Sequence, residues 1–130
     1  MMRDVEAPLK IVIAGNHDFS LDIPVFKQKI SEANKLAQEC LSDSIKKEFG
    51  DYGTARRILQ EAKDDGIVFI DKGSHVFHLQ NGATLKTYAS PYTPSSGGEW
   101  GFQYSGAHDF NIEKWTDIVI THGPHLASWI

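Results

Sequence analysis

Short runs of apolar residues mark several strands along the chain. Leu9–Ala14 (LKIVIA) is one such run, and its β-branched content predicts a strand covered on both faces, as in a parallel sheet. Between two later runs, Asn81-Gly82 predicts a β-hairpin whose turn takes positive φ values. The later strands are predicted at Ile67–Ile70, His75–Leu79, Leu85–Ala89 and Asp117–Thr121.

A different period, of three and four residues, predicts helices between the first strand and the others. One amphipathic helix is predicted from Pro24 to about Phe49, with Gly50 ending it. A second is predicted over Ala55–Lys63. Strands that alternate with helices favour an α/β domain. The apolar stripe of the first helix comprises Phe26, Ile30, Ala33, Ala37, Cys40, Leu41 and Ile45, which predicts a small core residue at Cys40.

Composition narrows the class of protein. The 130 residues suit one domain, and a net charge of −4 offers no general basic face for nucleic acid or an anionic membrane. The single cysteine cannot form an internal disulfide or a Cys-rich zinc site. No stretch approaches the roughly 20 apolar residues of a membrane helix, and no secretory signal precedes Leu9. We therefore expect a soluble, cytoplasmic protein of unknown oligomeric state.

Candidate chemistry follows directly after two of the predicted strands. Gly15 lets the chain turn after the first strand, Asn16 offers an amide oxygen to a divalent metal, and His17 can donate to a phosphoryl oxygen. Asp18 could hold His17 in one tautomer. His122 follows the last strand in the same way. If both strands run parallel in one sheet, Asn16 and His122 can converge on a single ion.

These two strings carry a family resemblance. KIVIAGNHDFSLD (Lys10–Asp22) and DIVITHGP (Asp117–Pro124) resemble the calcineurin-like metallophosphoesterase superfamily. LKTYASPYTPSSGGEWGFQY (Leu85–Tyr104) is similar to the cyclic-nucleotide-phosphodiesterase-like branch. The resemblance implies a β-sandwich flanked by helices, with residues 1–130 forming a partial domain. It also implies hydrolysis of a phosphoester small molecule or a nucleotide, by a phosphodiesterase or phosphatase reaction.

The resemblance implies roles for the four motif residues. Asn16 and His122 correspond to ligands of one metal, His17 to the acid that contacts phosphate, and Asp18 to its orienting partner. In the family, two divalent ions drawn from manganese, iron and zinc activate a bridging water that attacks phosphorus. His125 stands where the branch commonly has a second proline, and is more simply read as a loop residue.

The sequence also departs from the family pattern. An Asp-x-His motif and a metal-bridging Gly-Asp are expected before the GNHD string, and a Gly-His motif after THGP; none is present. Two neutral ligands do not replace a bridging carboxylate, so the dinuclear site is expected to be incomplete. The alternative function is a non-catalytic fragment or degenerate paralogue that retains only the scaffold.

Other residues with chemical potential are better explained structurally. His75 and His78 are three apart in a strand and should point to opposite faces, which disfavours a shared metal. The His108-Asp109 pair follows a loop and is predicted to be structural. The Pro/Trp loop is the part of Leu85–Tyr104 that follows the predicted strand Leu85–Ala89. Its aromatic residues either rim a nucleobase pocket or pin the loop to the sheet; they are Trp100, Phe102 and Tyr104.

Overall fold

The computed structural model describes residues 2–95 and 97–123 of the chain. These residues form a mixed α/β fold, which confirms the predicted fold class. The described residues include three α-helices, α1 (Ile23–Ala37), α2 (Ser42–Phe49) and α3 (Thr54–Glu61). The strands are β1 (Lys10–Val12), β2 (Ile67–Phe69), β3 (Gly73–His78), β4 (Thr84–Ser90), β5 (Thr93–Pro94), β6 (Gln103–Tyr104) and β7 (Ile118–Thr121).

The strands form three small sheets. β1 pairs with β2 in parallel, with Ile11 opposite Val68. β4 lies between β3 and β7, antiparallel to β3 and parallel to β7. β5 and β6 form a short parallel pair. The strands predicted from the sequence are all present, but β1 and β7 belong to different sheets.

The β3–β4 hairpin is confirmed, with a different turn from the one predicted. Gly82 N–H donates to the Leu79 carbonyl oxygen at 3.0 Å, so Gln80 and Asn81 are the central residues of the turn. Of the Asn-Gly pair, only Gly82 has a positive φ, at 83°. A turn followed by one left-handed residue is a common hairpin connection, and glycine occupies that position without strain.

The single helix predicted from Pro24 to Phe49 is wrong, because the chain forms two helices there. Gln38 has a left-handed φ of 53° and ends α1. The Asn34 side chain satisfies the connection: it accepts the Leu41 N–H at 2.8 Å and donates to Ser42 Oγ at 3.0 Å. The prediction that Cys40 is a core residue is also wrong, because Cys40 lies exposed in this connection.

Helix ends elsewhere follow ordinary capping chemistry. Asp22 precedes α1 and accepts the Val25 N–H, and Pro24 lies in the first turn, where its missing N–H costs nothing. Gly50 follows α2 with a φ of 81°, as predicted. In the described part of the chain, no helix is both long and apolar enough to cross a bilayer.

The core lies beside the loop that follows β1. Ala14, Leu21 and Phe102 are buried together, and half-buried side chains pack around them: Ala55, Leu59, Phe69 and Tyr92. Phe26 and Ile30 bury the inner face of α1. The core thus joins the GNHD loop (residues 15–18) to the loop that contains Trp100, and the candidate site lies where these two loops meet.

Candidate functional site

The loop after β1 is folded back on itself by its own aspartate. Gly15 N–H donates to Asp18 Oδ2 at 2.8 Å, and Asp18 N–H donates to the Gly15 carbonyl oxygen at 3.0 Å. Gly15 is buried and Asn16 half-buried, whereas His17 and Asp18 are exposed. The turn therefore presents the imidazole of His17 to solvent. The described contacts of Asp18 include none to His17, and its orienting role stays a prediction.

Asn16 and His122 meet although 106 positions separate them in the sequence. His122 follows β7, where its N–H donates to the Ser90 carbonyl oxygen at 3.1 Å. Its Nε2 lies 2.8 Å from Asn16 Oδ1, a hydrogen bond in which the imidazole N–H donates. The contact joins the carboxyl ends of β1 and β7, which are parallel to different neighbours in two separate sheets.

This contact requires glycine at position 15, because a side chain there would collide with His122. A Cβ at Gly15 would lie 2.6 Å from His122 Cε1, 2.8 Å from Nε2 and 2.9 Å from Nδ1. Such distances are well below a van der Waals contact of about 3.5–4.0 Å. The imidazole therefore lies directly over the Gly15 backbone. The sequence suggested that Gly15 serves a sharp turn; the structure gives it the further task of making room for His122.

The Pro/Trp loop covers the other side of the GNHD loop. Gly101 N–H donates to the Asn16 carbonyl oxygen at 2.9 Å, and Phe102 N–H donates to Asp22 Oδ2 at 2.9 Å. Phe102 has a positive φ of 49°, a strained conformation for a bulky residue, and the Asp22 bond and its buried ring hold it there. The loop is thus tied to the candidate site by its backbone.

The three aromatic residues of this loop have different surroundings. Trp100 stacks on His17 with ring centres 4.2 Å apart and planes inclined by 33°, and 37% of Trp100 is exposed. Phe102 is buried in the core, and Tyr104 stacks on His108. Packing therefore accounts for Phe102 and Tyr104, while Trp100 lies at the site with part of its surface open.

Lys29 is a site residue that the sequence patterns did not single out. It is half-buried on α1, and its Nζ lies 5.0 Å from the centre of the Trp100 ring and 5.4 Å from that of Phe19. Within residues 2–95 and 97–123, no carboxylate forms an ion pair with Lys29. Its spacing on the helix carried no signal, because its partners come from two loops that fold against α1.

His108 lies in an aromatic cluster next to this loop. Its ring stacks on Tyr104 at 4.3 Å and lies 5.0 Å from the ring of Tyr92, and its Nε2 is 3.1 Å from Lys72 Nζ. Burial lowers the pKa of His108, and the positive charge of Lys72 lowers it further. A neutral imidazole that accepts from Lys72 is a structural arrangement, in agreement with the structural role predicted for this residue.

The remaining sequence candidates lie outside the site. His75 contacts the Asp71 carbonyl oxygen and is half-buried, whereas His78 is exposed and contacts Thr84, so the two imidazoles are not partners. Pro124, the last residue of the THGP string, and His125, which follows it, lie outside the described residues. A cavity of about 630 Å³ lies elsewhere, lined by Pro8, Leu9 and residues 77–81, and its lining includes none of Asn16, His17, Asp18 and His122.

The donor atoms of the site only partly fit a metal. Asn16 Oδ1 and His122 Nε2 would offer one oxygen and one nitrogen donor to a divalent cation. However, the described residues contain no group of three His, Cys, Asp or Glu side chains that could hold a metal ion. The Asp18 carboxylate accepts a backbone N–H instead. These residues do not fit the dinuclear centre that the resemblance implies.

Comparison with known proteins supports a metallophosphoesterase-like relationship. The chain is 29% identical over 133 residues to metallophosphoesterase domain-containing protein 1 of Homo sapiens, and equally to that of Mus musculus. Each match covers 93% of this chain and 35% of the relative, so the chain spans about a third of those proteins.

A further relative carries a different name. The chain is 29% identical over 121 residues to the probable rhamnogalacturonate lyase C of Emericella nidulans, a match that covers 91% of this chain and 9% of the relative. No protein-family model matches the chain. No solved structure matches it either.

Proposed function

We propose that this chain forms part of a metal-dependent phosphoester hydrolase site of the phosphodiesterase or phosphatase type. The observation that carries the proposal is the 2.8 Å contact between Asn16 Oδ1 and His122 Nε2. Both groups follow strands at their carboxyl ends, where α/β proteins collect their ligands. The metallophosphoesterase relatives support the same class, and they share a larger part of their length with this chain than the lyase does. More specifically, we propose that the chain belongs to the cyclic-nucleotide-phosphodiesterase-like branch.

In this proposal, some of the described residues would hold the metal ion and another would transfer a proton. Asn16 and His122 bring the two strand ends together and offer one oxygen and one nitrogen donor to a divalent ion. His17 projects from the loop between them and would contact a phosphoryl oxygen or protonate the leaving group. Manganese, iron and zinc are the proposed ions, and they require acidic ligands additional to the described residues. The partner is a phosphoester small molecule or a nucleotide, and the proposed location is the cytoplasm.

The second candidate is a scaffold that has lost catalysis. Two observations favour it: the described residues lack a metal-binding group of three side chains, and Asn16 and His122 satisfy one another by a hydrogen bond. In this form the Asn16–His122 pair fastens two loops and holds no ion.

Metal content and hydrolysis measured together distinguish the two candidates. The purified chain, and the same chain extended in frame to carry additional acidic ligands, are incubated with Mn²⁺, Fe²⁺ or Zn²⁺, desalted, analysed for metal by mass spectrometry, and assayed with bis-p-nitrophenyl phosphate and p-nitrophenyl phosphate. In the extended chain, the proposal predicts retained metal and hydrolysis, both reduced about tenfold or more by His122→Ala and unaffected by His78→Ala, which removes an exposed imidazole on β3. An extended chain that carries those acidic ligands and shows neither metal nor hydrolysis establishes the scaffold.

The role of His17 has its own signature. His17→Ala should lower kcat by about 10²–10⁴ and leave the metal content unchanged, because an acid that touches only the phosphoester contributes to the chemical step. Equal losses of metal and activity would instead place His17 among the ligands. An Asp-x-His, a Gly-Asp and a Gly-His in frame beside the codons for Met1 and Ile130 would supply the additional ligands.

A further inference from the structure

The site contains a positive charge that the proposed roles do not use. Lys29 Nζ lies over the Trp100 ring, and the same indole stacks on His17. Phe19, which follows the GNHD loop directly, provides a second aromatic ring near the ammonium group. The three groups come from α1, from the loop after β1 and from the Pro/Trp loop. Lys29 is therefore attached to the candidate site through Trp100.

The surroundings of Lys29 favour binding of an anion. An ammonium group beside two aromatic rings is partly desolvated, so it gains more from a negative charge than a lysine in free solvent does. Within the described part of the chain, Lys29 has aromatic neighbours and no carboxylate partner. Lys27, two residues earlier on the same helix, is exposed, and its ammonium group lies over the ring of Tyr52 instead. The two lysines thus differ in burial and in the loop that they face.

We propose that Lys29, Trp100 and His17 form a phosphate-binding subsite, in which Lys29 supplies the charge and Trp100 the apolar wall. The inference rests on the proposed function and deepens it, because it assigns the preferred ligand: an anionic phosphoryl group, with a dianionic monoester preferred to a singly charged diester. Each further negative charge on the ligand adds attraction to the ammonium group of Lys29.

Binding of inorganic phosphate tests the subsite without metal or turnover. Trp115→Phe and Trp129→Phe leave Trp100 as the single tryptophan, and its fluorescence reports phosphate added at constant ionic strength. Wild-type and variant chains are compared in the same background. Lys29→Met keeps an unbranched side chain that packs on aromatic rings, and it should weaken phosphate binding about tenfold. Lys29→Arg should restore binding to within about threefold, and Lys27→Met, the matched control, should change it by less than about twofold.

The outcomes separate this inference from the proposed function. Binding that depends on Lys29 and weakens with added salt supports the subsite, even in a chain that hydrolyses nothing. Absence of a saturable phosphate response in the wild-type background overturns it. Equal losses in Lys29→Met and Lys27→Met also overturn it, because they would reflect net charge alone. If Lys29→Met retains hydrolysis and binds phosphate as the wild type does, the subsite is refuted and the proposed function is unaffected.

Discussion

Gly15→Ala tests how closely the two motif loops approach each other. The new Cβ would lie 2.6–2.9 Å from three atoms of the His122 imidazole, so the ring must move by about 1 Å to restore ordinary contact. His122 is exposed, and the ring can rotate outward more easily than the backbone can shift. The movement breaks the hydrogen bond from His122 Nε2 to Asn16 Oδ1.

The expected cost follows from those two changes. Loss of the hydrogen bond and residual overpacking should lower the free energy of unfolding by about 1–2 kcal/mol. For a chain of this size, that corresponds to a fall in Tm of about 4–8 °C. Gly15 does not have a positive φ, so alanine adds no backbone strain there. The entire penalty should therefore come from His122.

A double-mutant cycle measures this dependence. Urea unfolding followed by circular dichroism is compared for the wild type, Gly15→Ala, His122→Ala and the double variant. In the His122→Ala background, Gly15→Ala should be neutral or stabilising by a few tenths of a kcal/mol, because alanine restricts the unfolded chain. The reasoning is refuted if Gly15→Ala costs the same in both backgrounds.

Two further predictions concern the loop and its neighbours. Asp22→Ala removes both the cap on Val25 N–H and the hydrogen bond to Phe102 N–H, and should lower the free energy of unfolding, measured with urea, by about 1–3 kcal/mol. The control Asp43→Ala lies on α2, which has no such cap, and should lower it by less than about 0.5 kcal/mol. Equal losses in the two variants would contradict the role assigned to Asp22. The folded chain lowers the pKa of His108 below 6.5, so the unfolded chain binds more protons under that pH and stability falls as the pH drops from 7. His108→Phe keeps the ring, and should flatten this fall; parallel stability profiles for wild type and variant would show that His108 contributes nothing to it.

Local patterns predicted the elements of this fold well, but not every boundary. Strands β1–β4 and β7, helix α3 and the hairpin depend on residues close in the sequence, such as Gly82, and they were predicted. The two-residue strands β5 and β6 were not predicted. The break between α1 and α2 was missed because the apolar period continues through Gln38. The structure ends α1 there because the Asn34 side chain binds the backbone of the next turn, which periodicity does not report.

The candidate site was predicted in part. The strings around Asn16 and His122 pointed to the correct strand ends, and the structure brings the two side chains together. The metal roles of these residues, and the catalytic roles of His17 and Asp18, stay predictions. No sequence pattern indicated Lys29, because its aromatic neighbours Phe19 and Trp100 lie 10 and 71 positions away and approach only after folding.

The sequence by itself determined the α/β class, the order of most strands and helices, and the polar residues that follow β1 and β7; it did not determine the break between α1 and α2 or the short β5–β6 pair. These properties depend on side-chain polarity, β-branching and turn chemistry over a few residues. Only the tertiary structure decided that Asn16 touches His122 across two sheets, that Gly15 must lack a Cβ, and that Trp100 contacts both His17 and Lys29. Such contacts depend on close packing between distant segments, which no local pattern encodes.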